Sequence, residues 1–382
     1  MKECSDRLYW VDGLKGIACL LIFTHHFLLA FYPASYYGIN SVSHFKYDTW
    51  FATNPISFIV NGNFLVHLFC ILSGLLISYN LIKNFNIDKV SNSLLKRYFH
   101  FSIPILIVGL VVYIMLKFHL FTNISTALLT GSSWLSSYYT NILSLKQILT
   151  SALINTLFVG DDMISTAFWM MSSIFYGTFL TYILNFISFH KNRKILYFYF
   201  ILLIFLIFLN SYMACFVIGY LLAYGMIKIK NKLGSKIESF IGIVFLILGF
   251  FFGGYPSGVI PTNIYSLLPN NIFLFHLIGA TFVIIGVYFL NPLKRIFSTR
   301  IFKSLGKISF SIYLIHIPFL FSFSTTLFSF LFYKNGRYRL DSVITYFASI
   351  CMLLVIAFLF DKIVGPLIKK VESKIIKFVE DN

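Results

Sequence analysis

Apolar runs of membrane-spanning length alternate along this chain with short polar segments that carry most of its charge. A hydrocarbon core about 30 Å thick takes roughly 20 apolar residues per helix. On that measure the runs predict transmembrane helices near 14–33, 63–82, 101–121, 166–187, 195–209, 211–227, 238–255, 272–290, 308–332 and 342–360. The fifth and sixth are short and separated only by Asn210 and Ser211, so they are expected to form a tight hairpin. The fold class that follows is all-α, a polytopic membrane bundle of about ten transmembrane helices. Two intervening segments are long, 34–62 and 122–165, and both are rich in Ser, Asn, Thr and Tyr. Within the second, KQILTSALINTLFVG at 146–160 has helix-like apolar spacing and reads as an interfacial helix or a partly buried cap. With no internal repeat and no soluble module, residues 1–382 read as one integral-membrane domain with short tails at 1–10 and 362–382.

The charges orient the bundle. With the N-terminus inside the cell, 24 of the 30 Lys and Arg residues fall in inside segments, in strict alternation with the outside ones. The outside segments hold only Lys46, Lys117, Lys146, Lys334, Arg337 and Arg339. A missed span would invert every later segment, so this bias predicts ten crossings with both termini cytoplasmic, in the cell membrane. The first apolar run is long and has no small-x-small cleavage site, so it reads as a retained span.

Composition agrees. AVILMFWYC make up 58% of the chain, charged residues only 11%, and mean hydropathy is +0.84, against about 25% charged residues in soluble domains. The net charge of +17 could suggest nucleic acid, but its scatter in short clusters between apolar runs argues for topology and contact with anionic lipid instead. Lys228–Lys236 is one such cluster. The five cysteines, Cys4, Cys19, Cys70, Cys215 and Cys351, show no CxxC or Cys/His spacing. They read as small buried hydrophobes, and no metal is expected.

Ionisable groups within lipid are costly and are functional candidates by default. His25 and His26 lie in span one, His67 in span two, His276 in span eight and His316 in span nine. A neutral histidine bonded to a neighbouring helix accounts for an isolated one such as His276. Span one is different. Lys15 and His26 are eleven residues apart, three helical turns plus about 20°, so they share a face with about 16 Å of rise between them. His25 falls about 80° off that face. A cation at the membrane surface is thereby joined to an imidazole near mid-membrane.

These residues carry a resemblance. D-G-L-K-G-I-A at 12–18, running into His25-His26, resembles the opening of the acyltransferase-3 membrane family, whose signature is a basic residue, ten residues, then His. Here these are Lys15 and His26, where the family more often has Arg at the first position. FCILSGLLIS at 69–78 resembles its F-F-x-L-S-G-F segment. LKRYFHFSIP at 95–104 sits where the family has R-x-x-R before a proline, with Arg97 matching and His100 replacing the second Arg. FWMMSSIFYGTFLTY at 168–182 resembles W-T-x-x-x-E-x-x-G-S: Trp169 and Gly177 match, and Ile174 stands at the Glu position. LGKISFSIYLIHIP at 305–318 resembles L-G-x-x-S-Y-S-L-Y-L-x-H-x-P closely.

The resemblance implies an O-acyltransferase moving an acyl group, commonly acetyl, from cytoplasmic acyl-CoA to a hydroxyl of an outer-face glycan or surface polysaccharide. On this reading Lys15 and Arg97, with His100 and Asp12 beside them, hold the anionic end of coenzyme A at the inner mouth. Asp12 also reads as a helix cap or as a partner neutralising Lys15. His26 is the base or acyl carrier, and Ser73, Tyr313 or His316 donate to the developing oxyanion. Ser73-Gly74 equally reads as a site of close helix packing. A polytopic transporter or glycan exporter using the same histidines is the alternative; the missing repeat weighs against it. A sensor or scaffold that lost the chemistry with the Glu is a third.

Overall fold

A computed structural model describes residues 7–190, 194–228 and 234–380. Cys4, Lys2, Lys191, Arg193, Lys230 and Lys232 lie outside the described residues. The predicted runs are helical: α1 (Tyr9–Phe31), α2 (Gly62–Lys83), α3 (Ile87–Lys117), α4 (Trp169–His190), α5 (Ile195–Phe208), α6 (Met213–Lys228), α7 (Ser235–Gly253), α8 (Ile272–Phe289), α9 (Arg300–Phe319) and α10 (Tyr338–Glu380). Among the described residues, 8 helical stretches are long and apolar enough to cross a membrane. The difference from ten lies in α5 and α6, of 14 and 16 residues, about 21 and 24 Å long, short of a hydrocarbon core of about 30 Å. They form the expected hairpin, turning through Asn210 at φ 50. α5 turns Tyr197, Ile201, Ile204 and Phe208 outward, while α6 buries Cys215, Phe216 and Tyr220. An apolar exterior of this kind suits lipid, where each helix satisfies its own backbone.

α9 does not stop at Phe319. It continues through a π turn at Leu320–Ser324 into Thr325–Asn335. Pro318 has no amide proton and cannot complete the regular ladder, and a wide turn just beyond it carries the helix onward. The 146–160 segment is helical as expected, with its own π turn at Ser151–Asn155. Ile148, Ala152 and Leu157 are buried, and Tyr98 of α3 donates to the Leu153 carbonyl at 2.9 Å. The 34–61 segment is roofed by 254–271: Ser57 donates to the Gly254 carbonyl at 3.2 Å and Asn61 to that of Tyr255 at 2.9 Å. Cys19, Cys70 and Cys215 are buried as expected, but Cys351 is exposed on the apolar outside of α10.

Small residues set the helix crossings. A Cβ on Gly219 of α6 would lie 2.6 Å from the Ile71 carbonyl of α2, next to Gly74, so Gly74 serves close packing. α1 and α9 also meet backbone to backbone. A Cβ on Gly16 would stand 2.6 Å from the Gly306 amide nitrogen, and one on Gly306 would overlap the Asp12 carbonyl. Gly306→Ala is therefore expected to force the two helices apart at a cost of about 1–3 kcal/mol, read as a lowered unfolding midpoint in detergent. Gly365→Ala, where a Cβ meets nothing within 4 Å, should leave that midpoint unchanged or raise it.

Candidate functional site

From the Gly16–Gly306 crossing, α1 and α9 each run ten residues to a histidine, His26 on one and His316 on the other. Equal spacing from a shared contact brings both to one level, about 15 Å along the bundle. His26 Nδ1 lies 3.2 Å from His316 Nε2, with ring centroids 5.1 Å apart.

The hydrogen bonds fix the protons. A carbonyl oxygen can only accept. His316 Nδ1 is 2.7 Å from the Tyr313 carbonyl, so Nδ1–H donates there and Nε2 carries the lone pair. That lone pair accepts from His26 Nδ1–H. His26 Nε2 is then left unprotonated, ready to take a proton or attack a carbonyl. The His26 ring is held on its face by Trp134, stacked at 5.4 Å and 18°. Trp134 in turn meets Phe321, in the π turn of α9, edge-on at 4.9 Å. The segment carrying Trp134 is tied to α1 by Ser132, whose hydroxyl donates to the Leu29 carbonyl at 2.7 Å.

A line of side chains joins this pair to the basic end of the bundle. The Lys15 ammonium lies 4.4 Å from the centroid of Phe69. Phe69 stacks on Tyr313 at 6.2 Å and 16°, and Tyr313 lies 5.8 Å from His316. Lys15 and His26 sit on one unbroken helix, with about 16 Å of rise between them. Arg97 bonds the Tyr182 hydroxyl through one terminal nitrogen at 2.9 Å, while its buried Nε has no partner.

Several expected residues are otherwise engaged. The Ser73 hydroxyl donates to the Phe69 carbonyl of its own helix at 2.7 Å, and that of Tyr313 donates to the Ala167 carbonyl. Neither hydroxyl proton is free for an oxyanion in this arrangement. The Asp12 carboxylate takes the Arg7 guanidinium at 2.7 Å and does not cap α1, whose N-cap is Leu8 with no side-chain cap bond. His100 turns from the Lys15–Arg97 mouth to Glu372 of α10, at 3.1 Å. Ile174 is buried aliphatic core, 6% exposed. Trp134 was not singled out by the sequence; it carries no signal beyond being an indole in a polar segment. His67 and His276 form a separate buried pair, 6.0 Å apart. His67 Nδ1–H donates to the Asn63 carbonyl and His276 Nε2–H to that of Tyr255. No group of three or more His, Cys, Asp or Glu side chains converges on a metal-sized site among the described residues.

Residues 8–362 match the family model described as an acyltransferase domain. The chain belongs to the acyltransferase-3 family. No curated protein and no solved structure matches it. This acyltransferase-3 protein is thus a multi-pass membrane acyltransferase, and the transporter reading is set aside.

The proton order is open to direct measurement. In 15N-histidine spectra of the labelled protein, His26 and His316 should each show a protonated Nδ1 and an unprotonated Nε2. His316→Phe, which removes this partner, should shift the His26 Nδ1 resonance.

Proposed function

We propose that the protein transfers an acyl group, acetyl first among the candidates, from cytoplasmic acyl-CoA to a hydroxyl of an outer-face glycan. The observation that carries the proposal is the His316–His26 pair, in which His26 Nε2 is kept free of its proton at the end of a line starting at Lys15. Acyl-CoA is a substrate with phosphates at one end and a thioester at the far end of a slender arm, and a cation separated from a base suits that shape. The partnerless Arg97 Nε supports Lys15 and Arg97 as the phosphate-holding pair, because guanidinium bonds to phosphate are charge-assisted. The positive-inside bias puts this basic end in the cytoplasm.

On this reading His26 acts as base or acyl carrier. His316 orients it and fixes its tautomer. Tyr313 contributes its backbone carbonyl as the anchor of His316. His100 and Asp12 shape the mouth through their pairs with Glu372 and Arg7.

Purified protein in nanodiscs with radiolabelled acetyl-CoA tests the proposal. His26→Ala should lower acetyl transfer by about 10²–10⁴-fold. Lys15→Ala with Arg97→Ala should weaken coenzyme A binding at least about tenfold. A parental rate in the first variant rules out the catalytic assignment, and unchanged affinity in the second rules out the clamp.

A further inference from the structure

His25, next to His26 on α1, turns its ring toward the roof. Its Nδ1–H donates to the Val60 carbonyl at 2.8 Å, so its Nε2 also carries a lone pair. The ring meets Tyr36 edge-on at 5.3 Å and His26 at 5.0 Å. It lines a narrow cavity under the roof, where Ser35, Ser57, Asn61 and Ser257 stand among apolar walls that include Leu28, Phe51 and Pro256. The roof there is fixed by the Ser257 hydroxyl, which donates to Asn61 Oδ1 at 3.0 Å. The cavity has about 20 Å³ of free space, room for one water or one hydroxyl. It shares Leu28, Ser35 and Phe51 as walls with a wider cleft of about 590 Å³ beside Tyr47, Trp50 and Arg339. Gly62 is what leaves the His25 ring its place: a Cβ there would lie 2.5 Å from His25 Cδ2 and 2.7 Å from Nε2.

We propose that the adjacent imidazoles divide the reaction, His26 carrying the acyl group and His25 serving as the base for the acceptor. The inference rests on the acyltransfer reading above and supplies its acceptor side. The acceptor is a sugar whose ring lies in the aromatic cleft while a single hydroxyl enters the narrow cavity. First, the His26 Nε2 lone pair forms a bond to the thioester carbon, the C–S bond breaks, and the thiolate leaves toward the basic end to be protonated by water there. His316 shares the charge of the acylated ring through His26 Nδ1–H. Second, His25 Nε2 takes the hydroxyl proton as the oxygen bonds to the acyl carbon. The N–C bond breaks, and its electron pair returns to His26. The proton leaves His25 through the cavity to the water on the cleft side.

The experiment uses full-length protein in nanodiscs with [14C]acetyl-CoA, with methyl β-glucoside as acceptor probe. The parent transfers label to the glucoside. His25→Gln is expected to take up label on the protein, discharged by hydroxylamine, yet pass it to the glucoside about 10²-fold more slowly. That uptake itself reports a folded donor side. Gly62→Ala, which pushes on the His25 ring, is expected to retain label in the same way. Transfer to the glucoside by His25→Gln at the parental rate, or loss of label uptake together with transfer, overturns the division of roles while leaving acyl transfer standing. Absence of any acetyl transfer by the parent overturns both readings.

Discussion

Backbone touching backbone, with no side chain between, is the constraint on which this molecule rests. α1 and α9 meet at Gly16 and Gly306, where a single added carbon would collide with the neighbouring main chain. In lipid there is little hydrophobic force to draw two helices together, and dispersion across such close surfaces supplies much of the attraction. Closeness at one level leaves the helices little freedom to slide or roll at the next. A 3.2 Å contact between two imidazoles needs that rigidity, because neutral rings gain little from pairing and would drift apart on loosely packed helices.

Polar groups inside the bundle are arranged so that little is left unmatched. Ser73 and Thr181 return their protons to carbonyls one turn back, a habit of hydroxyls in helices. His67 and His276 each spend one nitrogen on a carbonyl. Groups whose atoms remain without partners therefore stand out, and Arg97 Nε is the one nearest the basic mouth. The cation Lys15 is seated over the Phe69 ring rather than on a carboxylate. A ring face attracts a cation without neutralising it.

Much of this was legible in the sequence, for physical reasons. Apolar runs became helices because lipid leaves the backbone no other partner. Lys15 and His26 could be placed on one face because eleven residues nearly complete three turns. The two glycine-bearing motifs that flagged the family, at 12–18 and 305–318, prove to be the two halves of one crossing. The directions of His100 and Ser73 were not legible. Arg97 and His100 are three residues apart, which puts them about 60° from each other around α3, and that suffices to send one to Tyr182 of α4 and the other to Glu372 of α10. Trp134 escaped because a stacking partner supplied by a distant segment leaves no periodic trace. α5 and α6 read as spans by composition, and only their length sets them apart.

The equal stretches from Gly16 to His26 and from Gly306 to His316 behave as a matched pair of rulers. Inserting one residue in either would swing its imidazole by about 100° and lift it by about 1.5 Å, breaking the pair although no residue at the site had changed. Lengthening both together would restore the level but not the facing. An insertion that keeps the pair intact must accordingly fall outside these two intervals, so the spacing from crossing to imidazole matters as much as the side chains within it.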